Sequence, residues 1–195
     1  YIGQLMEYDK KFLIIGNINS VSYKEVFPYI MNNKMWIGLS ISSGDRKFFV
    51  PDDYPLNASG CGVDSDGKRY IRVKGVRWFT NLDISKRNEE MDLVCRYSPE
   101  EYPSYVNYQA IDVSKTADIP FDYTGLMGVP ITFLDKYCPN QFEIIGHSLE
   151  LADMNIIKKE LGKLNGGPRF YVREHGQLCR KFERIIIRNK HPQIL

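Results

Sequence analysis

The sequence predicts an α/β fold, and the order of patterns in its opening segment carries that prediction. An apolar run that ends in glycine, at residues 11–16, is typical of a buried strand. An amphipathic segment follows at residues 21–32, and a second strand is expected at residues 35–39. A strand, a helix and a strand in this order favour a parallel sheet, so the opening predicts half of a doubly wound α/β domain.

The helix expected at residues 21–32 has a recognisable beginning. Ser20 or Ser22 can cap it, and Glu25 in its first turn suits the positive end of the helix dipole. Pro28 is unfavourable inside a helix, so a kink or an early end is expected there.

Polar residues follow the first strand, where open α/β sheets collect ligands outside the carboxyl ends of their strands. His147, after the apolar run at residues 142–145, is a candidate for such a binding rim by the same rule, although a lone histidine is more often structural. Asparagine is an ordinary loop residue as well, and without further context that interpretation is favoured. The rule makes four residues rim candidates: Gly16, Asn17, Asn19 and Ser20.

The pattern changes after Leu39 to short runs separated by turns. Residues 47–50 and 69–73 are strand candidates, and the second alternates polar and apolar side chains as a half-exposed strand does. Residues 75–80 form either the partner of that strand or a return to the main sheet. Together they predict a β-hairpin insert.

The second half of the chain is less regular. Residues 99–139 contain many tyrosines, prolines and aspartates with little periodicity, which predicts an ordered loop region. A helix is expected at residues 149–164, ended by the glycines and proline at 166–168. Two strands are expected after it, at 170–173 and 182–188, with a turn at Gly176.

Composition excludes several classes of protein. Hydrophobic residues make up 43% of the 195 residues, which is ordinary for a folded chain. The four cysteines have no Cys-x-x-Cys spacing and the three histidines are scattered, so neither a disulfide scaffold nor a zinc site is indicated. The apolar runs are too short to span a membrane, and the opening lacks the features of a signal peptide, so a cytoplasmic location is expected.

Basic residues cluster although the net charge is only +2. Basic side chains neutralise phosphates and aromatic faces stack on bases, so a mixed basic and aromatic segment suits nucleic acid. A solvated strand face explains the cluster equally well. A second basic set, at residues 169–190, is better explained as the water-facing side of strands. The first cluster comprises Lys68, Arg69, Arg72, Lys74 and Arg77, with Tyr70 among them and Trp78 and Phe79 directly after them.

Long sequence blocks point to one family. They lie at residues 11–17, 23–28, 36–38, 78–83, 102–108, 119–137 and 141–146. In this order they resemble the EcoRI-type adenine-specific DNA methyltransferases, of which this chain would be the C-terminal part. The first residue is Tyr1, within a helix-like pattern, so the sequence looks like one cut from a longer chain.

The resemblance implies transfer of a methyl group from S-adenosylmethionine to N6 of adenine in duplex DNA, beside a cognate restriction endonuclease. The target base must leave the stack. The family's Asn/Asp-Pro-Pro-Phe/Tyr motif is absent from this sequence and is expected upstream, so no catalytic residue and no metal site are assigned.

The resemblance also implies a partial Rossmann-like methyltransferase sheet with an inserted β-rich, loop-rich target-recognition region. Residues 1–43 would belong to the catalytic core, residues 44–140 to target recognition, and residues 141–195 to a C-terminal helix and strands. The four rim candidates would lie next to the extruded adenine and the methyl donor. The DNA contacts would be Lys68, Arg69, Arg72, Lys74, Arg77 and Trp78.

Two other functions stay open. A non-catalytic DNA-binding or anti-restriction module would keep the DNA contacts without methyl transfer. A protein-interaction domain would keep only the α/β frame, and its binding to duplex DNA would lack a steep salt dependence.

Overall fold

A computed structural model describes residues 1–39, 44–164 and 166–194. The helices in these ranges are α1 (Ile2–Glu7), α2 (Phe27–Met31), α3 (Ser148–Leu151) and α4 (Met154–Leu161). The strands are β1 (Leu13–Asn17), β2 (Trp36–Ile37), β3 (Asp45–Phe49), β4 (Gly62–Val63), β5 (Arg69–Lys74), β6 (Val76–Thr80), β7 (Ile111–Asp112), β8 (Leu126–Pro130), β9 (Phe142–His147), β10 (Tyr171–Glu174), β11 (Gln177–Arg180) and β12 (Arg184–Asn189). The chain is therefore a mixed α/β protein in which sheets predominate. Among the described residues, no helix is both long and apolar enough to cross a bilayer.

The opening strands belong to a three-stranded sheet with the order β1-β6-β2. Strand β6 is antiparallel to both of its neighbours, so β1 and β2 run in the same direction with β6 between them. The predicted strand-helix-strand order is present. The predicted parallel pairing is not, because a strand from much later in the sequence occupies the position between the two.

The helix predicted at residues 21–32 is much shorter. A 3-10 helix, Ile18–Ser22, comes first, and Asn17 caps it instead of a serine. Helix α2 then begins at Phe27, so Pro28 lies in its first turn. Proline is well tolerated there because the first amide hydrogens of a helix have no partner within it. The proline therefore starts the helix rather than kinking it.

The insert predicted from the turn-rich segment is a second antiparallel sheet, with the order β3-β5-β4. Gly75 alone separates β5 from β6, and its φ of +70° is the left-handed conformation that favours glycine. Its carbonyl accepts the amide hydrogen of Ile18 at 2.7 Å. Gly75 thus fixes the point at which the chain passes from the second sheet into the first. The predicted domain boundary between residues 43 and 44 falls at the edge of a stretch outside the described residues.

A four-stranded sheet with the order β7-β8-β12-β9 forms the centre of the second half. Strand β12 is buried on both sides: Ile185 and Ile187 join the main core, and Ile186 joins a smaller cluster with Phe170 and Val172. The main core also contains the buried residues around α2, so it joins this sheet to the first one. The predicted loop region supplies β7 and β8 to the sheet, which the sequence pattern missed.

The helix predicted at residues 149–164 is interrupted. Helix α3 ends at Leu151, and Asp153 caps α4, since its side chain accepts the amide hydrogen of Asn155 at 2.9 Å. Helix α4 ends at Leu161, earlier than predicted, and Gly162 is its C-cap. The predicted turn at Gly176 is observed, but the strand after it is β11, and Phe182 lies outside both β11 and β12.

An ion pair between Arg77 and Asp135 connects the first sheet to the 3-10 helix that follows β8. Arg77 Nε and Nη2 donate to the two carboxylate oxygens at 2.6 and 2.9 Å. The side chains are only 4% and 10% exposed. A buried charge that loses its partner is strongly destabilising, so this pair holds β6 against the core.

Replacing Arg77 with Met should lower the free energy of unfolding by about 3–5 kcal/mol, because the Asp135 carboxylate stays buried without a cation. Urea denaturation measures this loss. The double variant Arg77→Met/Asp135→Leu removes both charges and should recover most of it. A loss below about 1 kcal/mol in the single variant would mean that the pair behaves like an exposed one.

Candidate functional site

One side of the β3-β5-β4 sheet is both basic and aromatic. Residues that pair directly across antiparallel strands point to the same side of a sheet. Lys47 pairs with Arg72, and Phe49 pairs with Tyr70. Together with the residues that continue this alternation, they form a surface that we name the basic face: Lys47, Phe49, Lys68, Tyr70, Arg72 and Lys74.

The cations of the basic face lie against aromatic rings. Lys47 Nζ is 4.3 Å from the ring centroid of Tyr70 and 4.9 Å from that of Phe49. Lys68 Nζ is 5.6 Å from the Phe49 centroid, and Arg72 Cζ is 5.8 Å from the Tyr70 centroid. A cation within about 6 Å of a ring face is attracted to it. These contacts order the charges along the sheet, while Phe49 stays largely exposed.

Two carboxylates lie beside the basic face. Asp64 accepts the amide hydrogens of Lys68 and Asp66 at 2.9 and 3.0 Å, which shapes the turn between β4 and β5. The hydrogen bond from the Lys68 amide, with further help from Lys47, holds the pKa of Asp64 below its usual value. Asp45 lies 3.5 Å from Arg72. Four basic side chains against two carboxylates leave this surface net positive.

The predicted DNA-binding residues divide between several surfaces. Arg69 alternates with Tyr70 and so lies on the opposite side of its sheet. Arg77 is 3% exposed, and its burial removes it from any surface that a phosphate could reach. Trp78 pairs with Ile15 and shares the outer side of the first sheet. The basic face therefore keeps three of the six: Lys68, Arg72 and Lys74.

The cluster in the sequence misses Lys47 and Phe49, which complete the basic face from the neighbouring strand. Their only local signal is the alternation of Asp45, Lys47 and Phe49 along a short run. The register of β3 against β5 decides that these side chains meet the basic strand, and that register is a long-range property.

The four predicted rim residues lie together at the end of β1, where they hold local structure. Asn17 Oδ1 accepts the amide hydrogen of Asn19 at 3.0 Å, and Asn17 Nδ2 donates to the Lys74 carbonyl at 3.0 Å. Ser20 Oγ donates to the Asn17 carbonyl at 2.7 Å. The rim thus fastens the last residue of the basic strand β5 to β1.

A second polar cluster joins the 3-10 helix after β1 to the C-terminal strands. Glu183 Oε1 accepts from Arg169 Nη2 at 2.6 Å, and its Oε2 accepts from Ser22 Oγ. His147 Nε2 lies 3.9 Å from the same Oε2 and has no hydrogen-bond partner among the described residues. His147 Nδ1 accepts the amide hydrogen of Leu149 at 3.1 Å and so begins α3.

Burial keeps His147 neutral. The side chain is 2% exposed, and this burial lowers its pKa from 6.5 to about 4. The nearby Arg169 guanidinium lowers the pKa as well, against the opposing effect of Glu183. At neutral pH the ring is an uncharged acceptor that caps α3.

Known proteins match this chain over most of its length. A family model described as adenine-specific methyltransferase EcoRI matches residues 1–190. The Type II methyltransferase M.EcoRI of Escherichia coli is 50% identical over 147 residues, which are 74% of this chain and 45% of that protein. This chain belongs to the EcoRI adenine-specific methyltransferase family. No solved structure matches it at a significant level.

Two mycoplasma relatives of this EcoRI-family chain match to a similar extent. M.MgeORF184P of Mycoplasma genitalium is 38% identical over 149 residues, which cover 74% of this chain and 47% of that protein. M.MpnI of Mycoplasma pneumoniae is 36% identical over 149 residues, with 74% and 46% covered. The chain spans about half the length of the curated relatives it matches. The family predicted from the sequence blocks is confirmed.

The family implies S-adenosylmethionine as methyl donor, and the rim residues are those predicted to border it. The side chains of Asn17 and Ser20 form hydrogen bonds within the rim and to β5. Gly16 lies against the core, since a Cβ there would come within 2.9 Å of the Phe79 ring. Asn19 lines an adjoining cleft. No chemical step is assigned to the four rim residues.

Acidification should destabilise the fold through His147. Its pKa is about 4 in the folded chain and near 6.5 when unfolded, so the unfolded chain binds the proton first as the pH falls. The stability that the neutral ring contributes is fully present above pH 6.5. It is lost as the pH falls from 6.5 to about 4, which lowers the free energy of unfolding by roughly 3 kcal/mol. Urea denaturation at a series of pH values measures it.

The variant His147→Asn serves as the control, because asparagine keeps an acceptor for the Leu149 amide but does not titrate. Its stability should vary less with pH in the same window. An identical pH dependence in both chains would contradict the assignment to His147.

Proposed function

We propose that this chain is the C-terminal portion of an S-adenosylmethionine-dependent DNA N6-adenine methyltransferase of a restriction-modification system. In that enzyme it contacts the DNA target and contributes strands to the catalytic-domain sheet. The observation that carries the proposal is the basic face, in a member of the EcoRI adenine-specific methyltransferase family. A cognate restriction endonuclease is its genetic partner.

The chemistry of the basic face suits duplex DNA. Its lysines and arginine neutralise phosphates and release counterions, which supplies affinity for DNA of any sequence. The exposed ring of Phe49 gives this surface an apolar contact for sugars and bases. Residues 44–140 are accordingly proposed as the target-recognition region, with Lys47 and Phe49 added to the predicted contacts and Arg77 removed from them.

Methyl transfer needs groups that this sequence does not contain. An adenine in a duplex must leave the stack before its amine can react, and the family holds that amine with an Asn/Asp-Pro-Pro-Phe/Tyr motif. The 195 residues contain no such motif. The proposal therefore places the donor, which supplies the methyl group, and the catalytic residues in polypeptide outside them, and assigns this chain the positioning of DNA.

Strand β1 supports a contribution to a larger sheet. It pairs with β6 along one edge, and Leu13 and Ile15 are about half exposed on the side that they share with Trp78. Exposed apolar side chains on an edge strand favour cover by further polypeptide. We propose that residues 1–43 belong to a Rossmann-like methyltransferase sheet, and that residues 141–195 pack the C-terminal helix and strands beside it.

Removing Lys68 and Lys74 tests the DNA contact. The variant Lys68→Ala/Lys74→Ala should bind duplex DNA at least about tenfold more weakly, and the slope of log affinity against log salt should fall by roughly two. Fluorescence anisotropy of a labelled duplex over a range of salt concentrations measures both quantities.

The control variant Lys158→Ala/Lys159→Ala removes the same charge from exposed positions on α4. Its affinity and slope should stay close to those of the parent chain. An equal loss in both variants would mean that only total charge matters, and an unchanged slope in the first variant would contradict the basic face as the DNA contact.

A further inference from the structure

A small cavity lies where the 3-10 helix Ser85–Asn88, which follows β6, meets β2 and α2. Its volume of about 10 Å³ is room for one particle of roughly the size of a water molecule. Ile30, Ile37 and Leu134 form the apolar part of its wall. The polar part of the wall consists of Trp36, Lys86, Arg87, Asp135 and Tyr137.

Two N–H groups beside this cavity lack an acceptor. The indole Nε1 of Trp36 and the Nε of Arg87 are both shielded from solvent, and neither forms a hydrogen bond with any described residue. The two side chains lie against each other, since Arg87 Cζ is 3.9 Å from the Trp36 ring centroid. Proteins rarely leave buried donors unpaired, so two of them on the wall of one cavity indicate a ligand that accepts hydrogen bonds.

The charges around the cavity favour a negatively charged ligand. Within the described ranges, neither Lys86 nor Arg87 forms an ion pair, and the Arg87 side chain donates only to the Asn33 carbonyl, at 3.4 Å. Asp135 lines the cavity, but both of its oxygens accept from Arg77. Two cations without a carboxylate partner attract an anion more strongly than a neutral water molecule.

The size of the cavity limits this anion to a single atom. Phosphate, sulfate and carboxylate groups contain several heavy atoms, whereas a chloride ion is only slightly larger than a water molecule. We propose that the cavity binds a chloride ion, which accepts hydrogen bonds from Trp36 Nε1 and Arg87 Nε beside the Lys86 ammonium. The ion joins the 3-10 helix to β2 and so fastens the segment after β6 to the first sheet.

Thermal unfolding of the 195-residue chain tests this site in mixtures of potassium chloride and potassium gluconate at one ionic strength. A ligand that binds only the folded chain raises the midpoint of unfolding, Tm, as its concentration rises. For a chain of this size, Tm should increase by about 3–6 °C for each tenfold rise in chloride above the dissociation constant. Iodide should raise Tm less than chloride, because it is too large for the cavity.

Two conservative variants remove one donor each. Trp36→Phe keeps an aromatic ring beside Arg87 but lacks the indole N–H, and Arg87→Lys keeps the positive charge but lacks Nε. Each should weaken chloride binding at least about tenfold, so that Tm begins to rise only at correspondingly higher chloride concentrations.

The matched controls make the same chemical changes outside the cavity. Trp78→Phe alters the other of the two tryptophans, and Arg180→Lys alters an exposed arginine. Both should keep the chloride dependence of the parent chain.

A Tm of the parent chain that is the same in chloride and in gluconate would overturn the proposal, because the cavity would then take no chloride. An equal chloride dependence in Trp36→Phe and Trp78→Phe would also overturn it, since the ion would then act elsewhere. So would a larger effect of iodide than of chloride. The measurement uses no DNA, so these results leave the proposed function untouched.

Discussion

The buried ion pair between Arg77 and Asp135 determines where the basic face points. Arg77 is the second residue of β6, and Gly75 alone separates β6 from the basic strand β5. Its guanidinium is held by a carboxylate from the helix that follows β8, so β6 cannot shift against the core without separating two buried charges. One arginine of the basic cluster is thus kept inside the protein, and its neighbours on β5 are thereby held at the surface.

The residues at the carboxyl end of β1 occupy a position where α/β sheets often bind ligands, but here they hold the neighbouring backbone in place. Asn17 uses both ends of its amide, one to cap the following 3-10 helix and one to hold the carbonyl of Lys74. The rule that ligands collect at strand ends is still informative, because the cleft lined by Asn19 lies directly beside this support. The hydrogen bonds that hold the end of β5 and the cleft are therefore adjacent.

Local patterns in the sequence predict two of the three strands of the insert, β3 and β5, and half of the basic face, because alternation and charge are visible along one strand. Local patterns fail where the structure depends on a contact between residues that are far apart in the sequence. The partner of Arg77 lies 58 residues away, and β6, the strand between β1 and β2, is also distant from both in the sequence. Strand β8 carries Gly128 and Pro130, which weaken its strand signal, and Asp153 divides a helix whose periodicity continues past it. Lys47 and Phe49 join the face only through the register of β3.

Hydrogen exchange of the chain with and without duplex DNA tests most directly whether it contacts its target through the basic face. Binding should slow exchange of the backbone amides in β3 and β5, because DNA would cover that side of the sheet and damp its local opening. The amides of α4, on an exposed helix, should exchange at an unchanged rate. Protection confined to α4, or bound DNA that leaves β3 and β5 unprotected, would contradict the account.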